Sequence, residues 1–543
     1  MHQERVKTAA ILLLFLACVA QGAEAPPINV YLADSNNPMA HGNPSQQDSV
    51  VQAGPTGPSL TLTLDQIDYV PVGPGHFGTT TSGLYADNKR VFWGNGLDRI
   101  VKIDHERFKV LATYYFPGAK TYGEEEAEEA ITQMDESNDG LLAQIRGFMT
   151  MLKYRDLSAI YTLLDREHNY YIGDREGNLI AYGDADPTDS ASAIVKLRAT
   201  KLPAEITGFV MGLSITYDGW LLIVTEHGWV VAIKRDFSET RIVRMLHSEG
   251  AEDKATGPTG RGWIRNAPAI DSEGGIYIVS QAHMHKVVWD GDRLSTDPID
   301  GAWTAPYDNT WGHGSGATPS LMGFGDEDQL VVITDGAPQM NVVAYWRNDV
   351  PRDWPGLPGQ PRQVAGLQPV TMGNPDLKEI QSEQSVVVEG YGALVVNNEP
   401  RHVPWYVPSQ ARGIFYGLLG SNPRHQPFGV EKFEWNQDKR ILEQAWVTKD
   451  ISTPSAVPIV SSQSNLVYLI GARNNQFTLE AMNWQTGESC FHYVIGGQRY
   501  NVMYAGTLID EAGRIHYGSP WGRVRLNTEV PSTTPRQADR LGC

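Results

Sequence analysis

The chain has 543 residues, with 63 Asp and Glu side chains against 44 Lys and Arg, and a formal net charge of -19 at pH 7. This acidic balance excludes a protein that tracks nucleic-acid phosphates, because that role needs clustered Lys and Arg. The length would allow several ordinary domains, but a strand pattern that recurs along the chain predicts one large domain.

The first residues have the pattern of a signal peptide. Arg5 and Lys7 precede an apolar stretch at residues 8–20 that is too short to span a bilayer, and Gly22 suits cleavage after it. We therefore expect residues 1–22 to be removed and the mature protein to be periplasmic or secreted. Cys18 lies in a poor lipobox, so lipidation is the less favoured alternative. No later stretch is apolar enough to span a membrane.

The next two segments differ in composition. Residues 23–58 are rich in Pro, Asn, Gly, Ser and Gln, which predicts a flexible entry segment. Residues 59–72 alternate apolar and polar side chains, as a strand does.

From residue 81 onwards, short apolar strands separated by Gly, Asp or Asn turns recur, a pattern typical of β-propeller blades. Matching segments begin near residues 81, 159, 208, 266, 311, 383, 452 and 504. The last segment supplies three strands, and residues 59–72 could provide the fourth, which would close the ring. We predict an all-β fold with a single β-propeller over residues 59–527, followed by a tail at 528–543. Eight blades are favoured, and seven are the alternative.

Two insertions interrupt the repeats. Residues 123–154 begin with a run of glutamates and continue with apolar side chains at helical spacing, which predicts a helical insert. This insert occupies a connection between blades, so we expect it to cover the channel mouth. Residues 399–428 form a long loop within the sixth repeat, and long ordered loops are usually functional.

One short motif carries a family resemblance. Residues 481–487, AMNWQTG, followed by Glu488, resemble the strand–turn signature of quinoprotein-type propeller repeats. This resemblance covers one blade and implies a quinone-dependent dehydrogenase. Elsewhere the layout is similar to lactonase-like and strictosidine-synthase-like propellers, by pattern alone. The mature chain lacks a vicinal cysteine pair and a C-x-x-C-H motif, which argues against a pyrroloquinoline quinone (PQQ) cofactor.

The candidate catalytic residues are His313, Glu226 and His227. In a propeller, the turns between second and third strands share one face with the connections between blades. Glu226 and His227 lie at such a turn, although neither is a favoured turn residue. His313 lies between two glycines, where the backbone can aim a side chain into a cavity, and a histidine suits a general base. The competing interpretation of His313 is a side chain bonded to a neighbouring carbonyl.

The same face offers ligand-binding side chains. The expected substrate-binding residues are Trp311, Asp308, Arg401, His402, Trp405, Tyr406 and Arg412, with the aromatic rings as apolar walls. The arginines would favour a carboxylate or sulfate on the substrate. Glu226, Asp335 and Asn398 from separate blades could place oxygen ligands around Ca²⁺, as the resemblance to lactonase-like propellers implies.

Removal of the leader would leave Cys490 and Cys543 in an oxidising compartment, so we expect a disulfide between them, with two free thiols as the alternative. For function, we expect an exported monomer, a hydrolase or lyase that acts on a small organic or carbohydrate substrate at the channel mouth. A non-catalytic envelope scaffold and a quinone-dependent dehydrogenase are the alternatives.

Overall fold

The computed structural model describes residues 24–75, 78–153, 161–249, 263–311, 314–400, 402–407, 412–528 and 543. The predicted signal peptide lies outside the described residues.

The described strands form eight sheets, and in seven of them four core strands follow one another along the chain. Three strands precede the repeats: β1 (Ser49–Val50), β2 (Leu60–Thr61) and β3 (Ile67–Pro71). Sheet 1 contains β4 (Thr79–Thr81), β5 (Val91–Asn95), β6 (Arg99–Asp104) and β7 (Val110–Tyr115). Sheet 2 contains β8 (Leu163–Leu164), β9 (Tyr170–Gly173), β10 (Asn178–Asp184) and β11 (Ile194–Lys201). Sheet 3 contains β12 (Val210–Ile215), β13 (Trp220–Thr225), β14 (Trp229–Lys234) and β15 (Thr240–Arg244). Sheet 4 contains β16 (Ala269–Ile270), β17 (Gly275–Val279), β18 (His283–Trp289), β19 (Leu294–Ser295) and β20 (Trp303–Pro306).

The second half of the chain repeats this arrangement. Sheet 5 contains β21 (Ser320–Met322), β22 (Leu330–Thr334), β23 (Asn341–Trp346) and β24 (Val364–Pro369). Sheet 6 contains β25 (Val387–Glu389), β26 (Gly392–Val396), β27 (Val430–Asn436) and β28 (Ile441–Thr448). Sheet 7 contains β29 (Ile459–Ser461), β30 (Leu466–Arg473), β31 (Gln476–Asn483) and β32 (Ser489–Gly496), with β1 and β2 at its edges. Sheet 8 contains β33 (Leu508–Ile509), β34 (Ile515–Gly518) and β35 (Gly522–Leu526), with β3 paired to β35.

Stacking of successive sheets explains the apolar runs in the middle strands. All six residues of β13 are buried, whereas the outer strand β11 is mostly exposed or half-buried. A strand covered on both faces needs apolar side chains at every position. One apolar cluster lies between each pair of successive sheets, and another joins β3 of sheet 8 to sheet 1 through Val70, Phe92 and Phe108.

The N-terminal segment, residues 29–50, differs from the prediction of a flexible entry. Asn37, Ser45 and Gln46 are fully buried. Hydrogen bonds from the segment reach the first strand of each of the eight sheets, at Thr81, Leu164, Ile215, Ile270, Leu321, Val388, Val460 and Ile509. The segment therefore pairs with strand backbones, mainly through its own backbone carbonyls and also through the side chains of Asn29 and Asn37. The expectation of flexibility was wrong because these partners are distant in sequence.

Residues 59–72 form two strands, whereas the alternation of apolar and polar side chains predicts one. β2 pairs in parallel with β32 of sheet 7, and β3 pairs antiparallel with β35 of sheet 8. A 3-10 helix at Leu64–Gln66 separates the two strands. The segment therefore contributes to two neighbouring sheets, and its second half pairs with the strand that the sequence analysis leaves without a partner.

Among the described residues, three α-helices lie in the two insertions. α1 (Glu124–Asp135) and α2 (Leu141–Leu152) connect sheets 1 and 2, and α3 (Arg412–Leu419) lies between β26 and β27. None of the helices in the described residues has the length and apolarity that crossing a membrane requires.

The end of the chain is tied to sheet 7. Cys490 in β32 forms a disulfide with Cys543, with their Cα atoms 5.1 Å apart.

Candidate functional site

The three helices pack together over one end of the sheets, which we call the helix face. Met134 of α1, Met151 of α2 and Phe415 and Leu418 of α3 form one buried apolar cluster. The turns between second and third strands lie at this same end, because α1 and α2 follow the last strand of sheet 1 and α3 follows the second strand of sheet 6. Polar side chains at these turns therefore lie beneath or beside the helices.

Glu399 is the central residue of the site. It follows β26, and the residue is 7% exposed. Its Oε2 accepts a hydrogen bond from the Tyr416 hydroxyl at 2.5 Å and lies 3.4 Å from Nη1 of Arg412. The same Arg412 nitrogen lies 3.1 Å from Oε2 of Glu379. We call Glu399, Arg412, Tyr416 and Glu379 the Glu399 group.

Burial gives Glu399 a proton affinity suited to neutral pH. Desolvation raises its pKa to about 7, while Tyr416 and Arg412 oppose that shift. The negative charges of Glu379 and Glu383 raise it further. A carboxyl group that titrates near pH 7 can both donate and accept a proton under physiological conditions.

Arg412 presents part of its guanidinium to the site. Its cationic centre lies 5.2 Å from the ring centroid of Trp311, a cation–π contact. Nε of Arg412 is buried without a hydrogen-bond partner among the described residues. The structure thus brings together two of the predicted substrate-binding residues and leaves a donor for an acceptor on a ligand.

A second ion pair lies next to the Glu399 group. Nη2 of Arg265 contacts Oε2 of Glu383, and both side chains are about one-third exposed, at 33% each. The Glu383 carboxylate is the main cause of the raised pKa of Arg265. The backbone N–H of Glu383 donates to Oδ1 of Asn398 at 2.7 Å. Burial raises the pKa of the nearby Tyr504, and the charges of Glu383 and Glu399 add to that effect.

The predicted pair Glu226 and His227 borders this ion pair. Oε1 of Glu226 lies 3.4 Å from Nε2 of His227, and burial raises the pKa of Glu226. The backbone N–H of Ile264 donates to the Glu226 carbonyl at 3.0 Å. The two candidates therefore adjoin the segment that carries Arg265.

The N-terminal segment also contacts this region, through His41. The Tyr161 hydroxyl lies 3.4 Å from both Oδ1 of Asn266 and Oγ1 of Thr318. Its ring centroid is 6.2 Å from that of His41. Nδ1 of His41 lies 2.8 Å from Oδ2 of Asp48, so the segment carries a histidine–carboxylate pair.

Several polar atoms around these residues are buried without partners in the part of the chain that the structure describes. Both side-chain polar atoms of Gln384 and the hydroxyls of Thr453, Ser455 and Thr507 belong to this set. Buried polar groups in native proteins are normally hydrogen-bonded, so this interior is suited to water or to a polar ligand.

Four predicted binding residues have other surroundings. Trp405 is 95% exposed and Tyr406 is 40% exposed, and the Tyr406 hydroxyl donates to Oε1 of Gln144 on α2 at 2.8 Å. His402 is also exposed. The prediction that these aromatic rings wall a pocket was wrong, because the loop places them on the outer surface of the helices. Asp308 uses Oδ1 in its own turn, where it accepts from the N–H of Thr310 at 2.8 Å.

The predicted metal ligands do not fit a Ca²⁺ site. Both oxygens of Asp335 accept hydrogen bonds from Asn341, at 2.7 Å and 2.6 Å, and burial raises its pKa to about 6. Oδ1 of Asn398 is occupied by the Glu383 N–H. Throughout the described ranges, no group of three or more His, Cys, Asp or Glu side chains is placed to hold a metal ion.

His313 and Arg401 lie outside the described residues, so their roles stay predictions. The sequence analysis missed Glu399, Arg265 and Glu383 as functional residues. Glu399 was visible as the acidic residue that follows an apolar strand and two asparagines, at the start of the long loop. Its raised pKa depends on burial beneath α3, which no local pattern reveals.

Comparisons with known proteins place the chain in a family. No protein-family model matches this sequence. An uncharacterized protein of Archaeoglobus fulgidus is 32% identical over 515 residues, a match that covers 93% of this chain and 89% of the relative. The chain belongs to the family of that archaeal protein.

Solved structures show the fold. A europium-containing methanol dehydrogenase is 10% identical, with a TM-score of 0.51 over 90% of both chains. BamB from Moraxella catarrhalis is 11% identical, with a TM-score of 0.39 over 68% of this chain and 86% of its own. The protein is a β-propeller, as its repeats predict. At these identities the likeness is one of fold alone and does not extend to substrates or cofactors.

Proposed function

We propose that this protein is a hydrolase or lyase that acts on a small acidic organic or carbohydrate substrate at the helix face, with Glu399 as the proton-transferring group. The observation that carries the proposal is the buried Glu399 carboxyl group, whose pKa is raised to about 7 and which lies between Tyr416 and Arg412. Perturbed carboxyl groups of this kind are common at functional sites.

Each neighbour has a chemical role in this proposal. Arg412, with a free Nε and its contact to Trp311, would bind and orient a carboxylate on the substrate. Tyr416 would hold the Glu399 carboxyl group in position through its hydrogen bond. Glu399 would then accept a proton from the attacking water or from the carbon next to a carbonyl, and return it to the leaving group.

Activity assays of a matched pair of variants test this assignment. The mature protein would be assayed against lactones, esters and oligosaccharides, with and without chelator. We expect Glu399→Gln to lower kcat/KM by about 10²-fold or more, as general acid–base catalysis typically contributes. Glu379→Gln is the control, because Glu379 also pairs with Arg412 but is 40% exposed. Equal losses in both variants would assign Glu399 a structural role, and full activity of Glu399→Gln would refute the proposal.

A non-catalytic binding scaffold is the second candidate, and one observation favours it. Leu142 and Ile145 on α2 are 80% and 50% exposed, and Trp405, which precedes the Tyr406 that bonds to α2, is 95% exposed. Exposed apolar patches of this kind often mark interaction surfaces. Absence of turnover across the whole substrate panel would favour this candidate.

We also propose that the eight sheets are eight blades of one ring closed by β3, and that the mature protein is periplasmic or secreted. The cluster that joins sheet 8 to sheet 1 supports closure. The Cys490–Cys543 disulfide supports an oxidising compartment. Mass spectrometry of the mature protein should give an N-terminus at Ala23, and an intact N-terminal Met1 would contradict export.

A further inference from the structure

Arg523 of β35 is a fully buried arginine that lacks an acidic partner in the described structure. Its Nη2 donates to Nδ1 of His516 at 3.2 Å, whereas Nε and Nη1 have no hydrogen-bond partner among the described residues. Both side chains are 0% exposed. Arg525, two residues further along the same strand, differs because it forms an ion pair with Asp68 at 2.5 Å.

The unpartnered N–H groups of Arg523 and His516 require hydrogen-bond acceptors. A guanidinium has N–H donors and no acceptor, so Nδ1 of His516 must accept and the imidazole proton must lie on Nε2. Nε2 of His516 is also buried without a partner. Burial lowers the pKa of Arg523 to about 9, so the guanidinium is still charged at neutral pH. Burial and the charge of Arg523 lower the pKa of His516 well below its ordinary value, so the imidazole is neutral.

The seam between sheets 8 and 1 surrounds these donors. The Phe92 ring centroid lies 4.6 Å from that of His516, so this face of β5 meets sheet 8. In the strand register, Thr81 pairs with Phe92 and Thr79 with Gly94, which places both threonines on the same face as Phe92. The hydroxyls of both threonines are buried and unpartnered in the described structure.

Glycines lie beside this group on both sheets. Gly518 pairs with Arg523 across β34 and β35, and Gly94 pairs with Thr79 across β4 and β5. Neither has a side chain to fill the space between the sheets or to supply an acceptor. The seam thus combines one positive charge, several unsatisfied donors and two positions without side chains.

We propose that this seam is a binding site for a small monovalent anion of the halide class, held by an unpartnered N–H group of Arg523, at Nε or Nη1. An unpaired buried charge is strongly unfavourable, and a buried arginine is normally compensated by an anion or a carboxylate. One bound anion would balance the single charge of Arg523. The unpartnered Thr79 and Thr81 hydroxyls add polar groups to the same seam, whereas a water molecule would leave the charge uncompensated.

Bromide replacement tests the site directly. Crystals of the mature protein grown in sodium bromide should give an anomalous peak within hydrogen-bond distance of Nε or Nη1 of Arg523. Absence of a peak at that position, or density that refines as water in both chloride and bromide, would overturn the proposal.

Thermal unfolding in solution provides a second test with matched variants. The Tm of the wild-type protein should rise with chloride concentration at constant ionic strength, with gluconate as the replacing anion, because ligand binding stabilises the folded state. Arg525→Gln should keep this chloride dependence, since its partner is Asp68. Arg523→Gln should lose it. Equal chloride dependence in wild type and Arg523→Gln, or none in wild type, would refute the site, and the bromide crystals decide the question if Arg523→Gln does not fold.

Discussion

The burial of the Glu399 side chain determines its acid–base behaviour. Its pKa is raised from the ordinary 4.5 to about 7 by desolvation, so the folded protein binds a proton that the unfolded chain releases more easily. The stability that this proton contributes is fully present below pH 4.5 and is lost as the pH rises through 7. The shift corresponds to about 3 kcal/mol in the free energy of unfolding.

We therefore expect Glu399→Gln to flatten the pH dependence of stability. Between pH 4.5 and 8.5, the wild-type protein should lose about 3 kcal/mol relative to this variant, because glutamine has no proton to release. Urea denaturation of the wild-type protein and the variant at a series of pH values measures the difference. Parallel pH profiles of wild type and Glu399→Gln would show that Glu399 has an ordinary pKa.

The sequence predicted the position of a single residue correctly where local geometry determines that position. Trp311 and Arg412 could be assigned to one face because turn position in a repeat fixes the end of the sheet on which a side chain lies. Trp405 and Tyr406 were assigned wrongly because their loop runs over α2, and no pattern within the loop indicates this. Glu399 and Arg265 could not be singled out, because their electrostatic surroundings come from three separate sheets and a helix.

The helices of the two insertions form one structural element through a shared apolar cluster. Met151 of α2 is 5% exposed and packs against α3, whereas Met149 on the same helix is 54% exposed. The helical spacing of apolar residues predicts a helix in this region but not which apolar side chains are buried. Both faces of α2 are apolar, so the element against which α2 packs determines which of its side chains are buried.

This pair of methionines gives a matched test of helix docking. We expect Met151→Ala to lower the free energy of unfolding by about 2–3 kcal/mol, since it leaves a cavity between α2 and α3. Met149→Ala should change it by less than about 0.5 kcal/mol. Chemical denaturation measures both, and limited proteolysis shows whether α1 and α2 detach first. Similar effects of the two substitutions would mean that α2 does not dock through its Met151 face.

At the scale of the whole molecule, the repeat pattern predicts the sheets well because each is built from strands adjacent in sequence. The two segments that cross between sheets were harder to predict. The polar composition of the N-terminal segment is typical of disorder, but composition cannot show that the backbones of eight sheets are available as hydrogen-bond partners. The division of residues 59–72 between sheets 7 and 8 likewise depends on the edges of β32 and β35, which lie more than 400 residues further along the chain.

The N-terminal segment should therefore stabilise the whole propeller. Its carbonyl groups accept hydrogen bonds from the backbone N–H groups of Thr81, Ile270, Leu321, Val388 and Val460, each in a different sheet. We expect a mature protein that lacks residues 24–54 but keeps β2 and β3 to have a lower Tm than any single-residue variant, because several sheets lose a partner at once. A synthetic peptide of residues 24–54 added in trans should raise the Tm again, and a scrambled peptide of the same composition should not. An unchanged Tm after truncation, or equal effects of the two peptides, would show that the segment only rests in the channel and contributes nothing to the assembly of the sheets.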